Sequence, residues 1–256
     1  MPKAMMAGAT ALVLAGLLLG ASDPWKTKSF SQWDANEVRK VMNDSPWAKL
    51  VQVPATWKPD AGAAAGTGGG LNPTGSSSST TGRGGGGRGG PGGGSATGGG
   101  DAGSTGLPNA SFEVRWSSSR TFRAAAARSM VLSNQITEPE ADKQMEEPQK
   151  YYEVTVVGRD MQPFEGLDEE MLKAATFLMA KKSKQKVSPE SVSVSVGADG
   201  KTVQAVAFRF PKISKTGEST IGAEEKGIEF STEVVRVSIK ANFDVAKMED
   251  NAGRDL

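Results

Sequence analysis

The chain has 256 residues, 30 of them basic and 29 acidic, which leaves a formal charge of +1 and no global field for nucleic acid, an anionic membrane or an acidic substrate. It contains neither Cys nor His. That excludes disulfides, thiolate nucleophiles, Ser-His and Cys-His triads and the usual zinc sites, so a bound metal would have to be a hard cation held by oxygens.

Residues 1–22 read as a secretory signal peptide: Lys3 is a short positive region, an apolar run ends at Leu19, and Gly20 and Ser22 stand at the −3 and −1 places of a cut. Export to a periplasmic or extracellular location is expected, with an uncleaved membrane anchor as the alternative. Residues 23–58 carry Trp25, Trp33, Trp47 and Trp57, four of the five tryptophans. Asp34 and Glu37 form an Asp version of the capping box, and Trp33 and Val38 stand at the places of a hydrophobic staple, so a helix is predicted from Ala35 to about Asn43. Pro46 ends it, and Ser45 is placed to cap a second short helical turn. A segment this short does not close a core around four indoles without disulfides or metal. The rings therefore need another surface: the C-terminal domain of the same chain, another envelope protein, or a glycan.

The run PWKTKSFSQWDANEVRKVMNDSPWAK, taken with FEVRWSSSRTFRAAAAR and the ending ANFDVAKMEDNAGRDL, resembles a family of uncharacterised exported proteins of soil bacteria. In that family a Trp-rich segment with DSPWA precedes a small domain. The resemblance implies export and a two-part layout, and implies no activity, cofactor or catalytic residue.

Within 59–107, residues 60–106 are almost entirely Gly, Ser, Thr and Ala with a single Leu71, too poor in apolar surface to offset ordering a Gly-rich backbone. A disordered linker is expected, with an r.m.s. span on the order of 40 Å. Its GRGGGGRGG run is similar to RNA-binding RGG segments, but two arginines without interleaved aromatics favour a solvated spacer.

A domain is expected over 108–248, followed by a tail at 249–256. Phe112, Val114 and Trp116 alternate with Glu113 and Arg115 as in a half-buried strand. Serines 117–119 offer caps for a helix whose inner face is read as Phe122, Ala126 and Met130. The acidic stretch 137–149, broken by Pro139 and Pro148, reads as a loop, and Tyr151–Val157 as a strand. Residues 167–182 read as the clearest helix of the chain, with Met171, Leu172, Ala175, Leu178 and Met179 on one face. Two strands flank the hairpin signal Gly197-Ala198-Asp199-Gly200, and two more are read near 227–232 and 234–243, the last turning Val235, Val237, Ile239, Ala241 and Phe243 inward. The order favours an α+β class: a two-layer domain with two helices on one face of a mostly antiparallel sheet.

Four constellations carry candidate chemistry. The loop 158–170 concentrates Asp160, Glu165, Asp168 and Glu169, which as a carboxylate pair would serve a hydrolase, although a helix N-terminus alone accounts for Asp168 and Glu169. The lysines of 181–186 suit phosphate or an anionic polymer, and equally a solvated helix end. Serines 117–119 lack a His base and read as caps. Arg115 beside Trp116 is a candidate recognition pair, against which alternation puts Trp116 in the core. The preferred reading is an exported, non-catalytic envelope or extracellular binding or structural protein. Its candidate binding residues are Trp25, Trp33, Trp47, Trp57, Arg115 and Trp116, with no catalytic residue, cofactor or metal assigned. The carboxylate-based hydrolase is the alternative.

Overall fold

The computed structural model describes residues 23–57, 109–235 and 237–256. The expected signal peptide and the expected linker lie outside the described residues.

The class is α+β, and every strand pairing is antiparallel. In chain order the elements are α1 Pro24–Thr27, a 3-10 turn Phe30–Gln32, α2 Ala35–Asn43, β1 Ala48–Pro54, β2 Asn109–Trp116, α3 Arg120–Leu132, α4 Glu138–Glu146, β3 Tyr151–Gly158, α5 Glu169–Ala174, β4 Thr176–Ala180, β5 Lys186–Val187, β6 Ser191–Val196, β7 Val203–Pro211, β8 Gly227–Val234, β9 Val237–Asp244, and a small tail hairpin of β10 Glu249–Asp250 and β11 Gly253–Arg254. One sheet runs β1-β2-β3-β7-β6 and a second runs β5-β4-β8-β9. The two sheets face each other through aromatic rings: Phe208 stands 5.5 Å from Phe230 and Trp116 stands 5.2 Å from Phe243, centroid to centroid. Offset and edge contacts of this kind add to the burial of the rings themselves.

Several local expectations hold. Asp34 accepts hydrogen bonds from the amides of Asn36 and Glu37 while Glu37 accepts from Asp34 N, so α2 has its capping box. Ser119 caps α3 through Phe122 N. The hairpin between β6 and β7 has Gly200 at φ +65°, where a side chain would be strained, and Asp199 accepts from the amides of Lys201 and Thr202.

Other expectations are corrected. The helix read over 167–182 stops at Ala174, and Thr176–Ala180 is a strand with Thr176, Leu178 and Ala180 buried and paired to β8. Apolar residues at 172, 175, 178 and 179 suit a helix, but 176, 178 and 180 suit a strand equally, and pairing with β8 decides. The acidic stretch read as a loop forms α4, because Pro139 falls in its first turn, where a missing N–H costs nothing, and Glu140 accepts from Thr137 N. On α3 the buried residues are Thr121, Phe122, Ala124, Ala125 and Ala127 rather than a stripe through Ala126 and Met130, since α2 and α4 both pack on this helix. Pro46 opens a turn and then a strand rather than a second helical turn. Val235 is exposed in the turn between β8 and β9.

Strand β1 is absent from the expectations above, and it sets the chain's organisation. It pairs with β2 from Ala48 opposite Arg115 to Pro54 opposite Asn109. Residues 23–57 therefore supply an edge strand and part of the core of the same sheet that 109–211 builds. The tail is also built in. Gly253, at φ +103°, closes the β10–β11 turn, and Asp255 caps α3 by accepting from Arg120 N at 2.6 Å and Thr121 N at 2.8 Å.

Candidate functional site

The four acidic candidates are not gathered into one site. Asp160 accepts from Trp57 Nε1 at 3.2 Å and from Gln162 N, which fixes the start of the 3-10 turn Gln162–Phe164. Asp168 caps α5 through Met171 N. Glu169 accepts from Val192 N and faces Lys173 at 3.6 Å, while Glu165 is exposed. These contacts tie Asp160 to Trp57 and Glu169 to Val192 across the chain and cap α5 with Asp168, and none of them joins two of these carboxylates. Among the described residues no group of three or more Asp and Glu side chains is placed to hold a cation.

The tryptophans are turned inward. Trp25, Trp33, Trp47 and Trp57 are 4, 3, 0 and 5 % exposed. Trp47 donates Nε1–H to Asp255 O at 2.8 Å and meets Trp25 edge-on at 5.4 Å, and its own carbonyl accepts from Trp116 N. Trp116 is wholly buried against Tyr152 and Phe243, so it forms no surface pair with Arg115, whose guanidinium pairs with Glu113 and lies over the Phe122 ring at 6.0 Å from its centroid. Of the lysines of 181–186, Lys181 and Lys182 border an open cleft of about 710 Å³ with Glu224, Lys226, Asn242 and Asp244. These side chains are exposed, and the buried carboxylate of Glu225 is spent on the amides of Lys182 and Ser183.

The helical end of the molecule is different. Two clefts adjoin there and share Arg120 and Met145 as a common wall. The first, about 340 Å³, lies between α1, the 3-10 turn and α3, with Trp25, Phe30 and Trp33 as aromatic wall and Lys28, Ser29 and Asp250 as polar rim. The second, about 350 Å³, is cationic: Arg123 from α3, Lys212 from the end of β7 and Arg254 from the tail surround Ser118. Burial pulls the Arg123 guanidinium and the Lys212 ammonium below their ordinary values; the charges of Glu147 and then Asp255 offset this in Arg123, while in Lys212 Asp255 offsets it and the neighbouring charge of Arg123 adds to it. Asp255 is pushed up by burial, against the downward pull of the two helix amides it accepts from.

Residues that line these clefts carry donors that the fold leaves unused and that are closed to solvent. The indole N–H groups of Trp25 and Trp33 and the hydroxyl of Ser118 are buried without a hydrogen-bond partner, as are Nε and Nη2 of Arg254. Ser118 is 4 % exposed. A buried polar group with no partner costs about 1–3 kcal/mol, and natural folds carry few of them. Of these residues the sequence points to Trp25 and Trp33 as binding residues and to Ser118 as a cap. Arg123, Lys212 and Arg254 carry no sequence signal, because three distant segments bring them together.

Comparison with protein-family models, with curated proteins and with solved structures returned no match for this chain. Among the described residues no helix is long and apolar enough to cross a membrane.

Proposed function

We propose that the protein is an exported, non-catalytic binding protein and that its ligand is held across the two adjoining clefts at the helical end. One observation carries this reading: four residues that line two clefts sharing a wall, Trp25, Trp33, Ser118 and Arg254, each hold a buried donor with no partner. A fold retains such a cost where something else repays it, and a ligand bearing acceptors does so. The aromatic wall beside a polar rim suits a ring with hydroxyl or amide substituents, which keeps a glycan among the candidate ligands. Export is supported by the leader-like N-terminus, and intact mass of secreted protein is expected to start at or near Asp23.

The test is a ligand panel of neutral saccharides, acidic saccharides and short peptides, scored on the full chain by indole emission and thermal midpoint. A saturable shift with the ligand recovered intact is expected, and Phe30→Ala, which alters a half-buried ring of the wall, should weaken it about tenfold. Silence across the panel would sink the reading. Recovery of a cleaved ligand would replace it with an enzyme.

A further inference from the structure

The cationic cleft says more about the ligand than the aromatic one. Arg254 uses Nη1 on two backbone carbonyls, Gly222 O at 3.0 Å and Ala223 O at 3.2 Å. Its remaining donors, Nε and Nη2, have no partner. These two N–H groups form one edge of the guanidinium, a planar fork whose spacing matches the two oxygens of a carboxylate or of a phosphate. The Ser118 hydroxyl borders the same cleft, also unpartnered. Arg123 and Lys212 add positive charge; Arg123 gives a donor to the Gln144 carbonyl, and Lys212 gives one at 3.4 Å to Leu256 O, which in this sequence is an oxygen of a carboxyl group that a bound oxyanion would have to share or displace.

The acids around the cleft are already committed or lie at its rim. Asp255 accepts from two α3 amides, and Asp250 takes Arg120 in a two-bond pair at 2.8 and 3.0 Å. Glu146 and Glu147 are exposed. None of them accepts from the free edge of Arg254.

We propose that this cleft is an oxyanion seat, in which the Nε–Nη2 edge of Arg254 grips a carboxylate or phosphate group of the ligand while Ser118 Oγ, Arg123 and Lys212 complete its coordination. The inference rests on the binding reading above and assigns the charged end of that same ligand. Arg254 is half-buried and its Nε and Nη2 are closed to solvent in the free protein, so gripping an oxyanion requires the side chain to turn towards the cleft.

The experiment titrates the full chain with inorganic phosphate and, separately, acetate at constant ionic strength, with chloride as the reference salt. The readouts are the thermal midpoint and the Nε–H resonance of Arg254. A saturable rise in midpoint with movement of that resonance is expected for at least one oxyanion, and the tighter of the two identifies the head group. Arg254→Lys keeps the charge and a donor for Gly222 O but removes the fork, and should weaken binding at least tenfold. Ser118→Ala should weaken it about three- to tenfold while leaving the free protein as stable as before or more so, because it deletes a hydroxyl that had no partner. A purely structural role for Ser118 would instead lower the free protein's midpoint. An equal response to chloride, or unchanged affinity in both variants, overturns the seat. If neutral saccharides or peptides bind while neither oxyanion does, the seat is wrong and the binding reading survives; if nothing binds, both fall.

Discussion

Replacing Trp47 by alanine probes how the first described segment is tied to the rest of the chain. The ring is fully buried, meets Trp25 edge-on, and reaches through Nε1 to the backbone of Asp255, the residue whose side chain caps α3. Truncating a buried indole costs about 3–5 kcal/mol, because the transfer energy is lost and the cavity refills only in part. In a domain of this size each kcal/mol moves the thermal midpoint by about 2–4 °C, so a fall of roughly 6–20 °C follows. Trp47→Phe keeps most of the ring volume but strands the Asp255 carbonyl, and should cost about 1–3 kcal/mol. Urea melts of wild type and both variants, followed by far-UV circular dichroism, measure the series. Amide exchange at Arg120 and Thr121 reports whether the cap loosens with it. If alanine costs less than about 1 kcal/mol and those two amides keep their protection, the ring does not hold the tail to the helix, and its bond to Asp255 is incidental to stability.

Asp255→Ala removes the acceptors of Arg120 N and Thr121 N, leaving Ser119 to cap α3 alone, and should cost about 1–2 kcal/mol in the same melts. Burial raises the Asp255 pKa above its ordinary 3.8, so the folded state holds this proton more tightly than the unfolded one and this group's contribution to stability declines as pH rises through that range. Carboxyl NMR should place its midpoint above 3.8, and a lower midpoint would show that the amide bonds outweigh desolvation. Asp199 goes the other way: hydrogen bonds from the Thr202 hydroxyl and from the amides of Lys201 and Thr202 lower it to about 2. Its stabilisation of the β6–β7 turn is present above the ordinary carboxylate pKa and is lost as pH falls towards about 2, which exchange of the turn amides between about pH 4 and pH 2 should register. Finally, 23–57 and 109–256 supplied as two separate chains should reassemble into one particle, whereas 109–256 alone should bind a hydrophobic dye and melt early, and full stability of that fragment alone would contradict the shared sheet.

What the sequence made legible was local. The α2 capping box, the Ser119 cap, the alternation of Phe112, Val114 and Trp116 and the Asp199 turn all depend on residues within a few positions of one another, and they appear where their chemistry puts them. What it hid was decided at a distance. Lys49-Leu50-Val51-Gln52-Val53 carries strand alternation, yet a nearby Pro46 and four indoles point to helix and docking, and only β2, beyond residue 107, turns this stretch into a strand. Thr176–Ala180 fits two periods at once, and β8 chooses between them. The cationic cleft was invisible for the same reason: Ser118, Lys212 and Arg254 are ordinary in their own neighbourhoods and become a cluster only when the tail folds back along α3.

The register of β1 on β2 also changes what the Gly- and Ser-rich interval means for the molecule. Pro54 lies opposite Asn109, so the chain leaves the sheet and re-enters it between neighbouring strands. An interval that begins and ends at one spot does not set a distance between two bodies, and the architecture places almost no demand on its length. For a chain of that composition, doubling or halving the loop changes its closure cost by only about 0.6 kcal/mol. The β1–β2 register thus predicts that changing the length of sequence between Trp57 and Asn109 should leave the sheet's pairing intact.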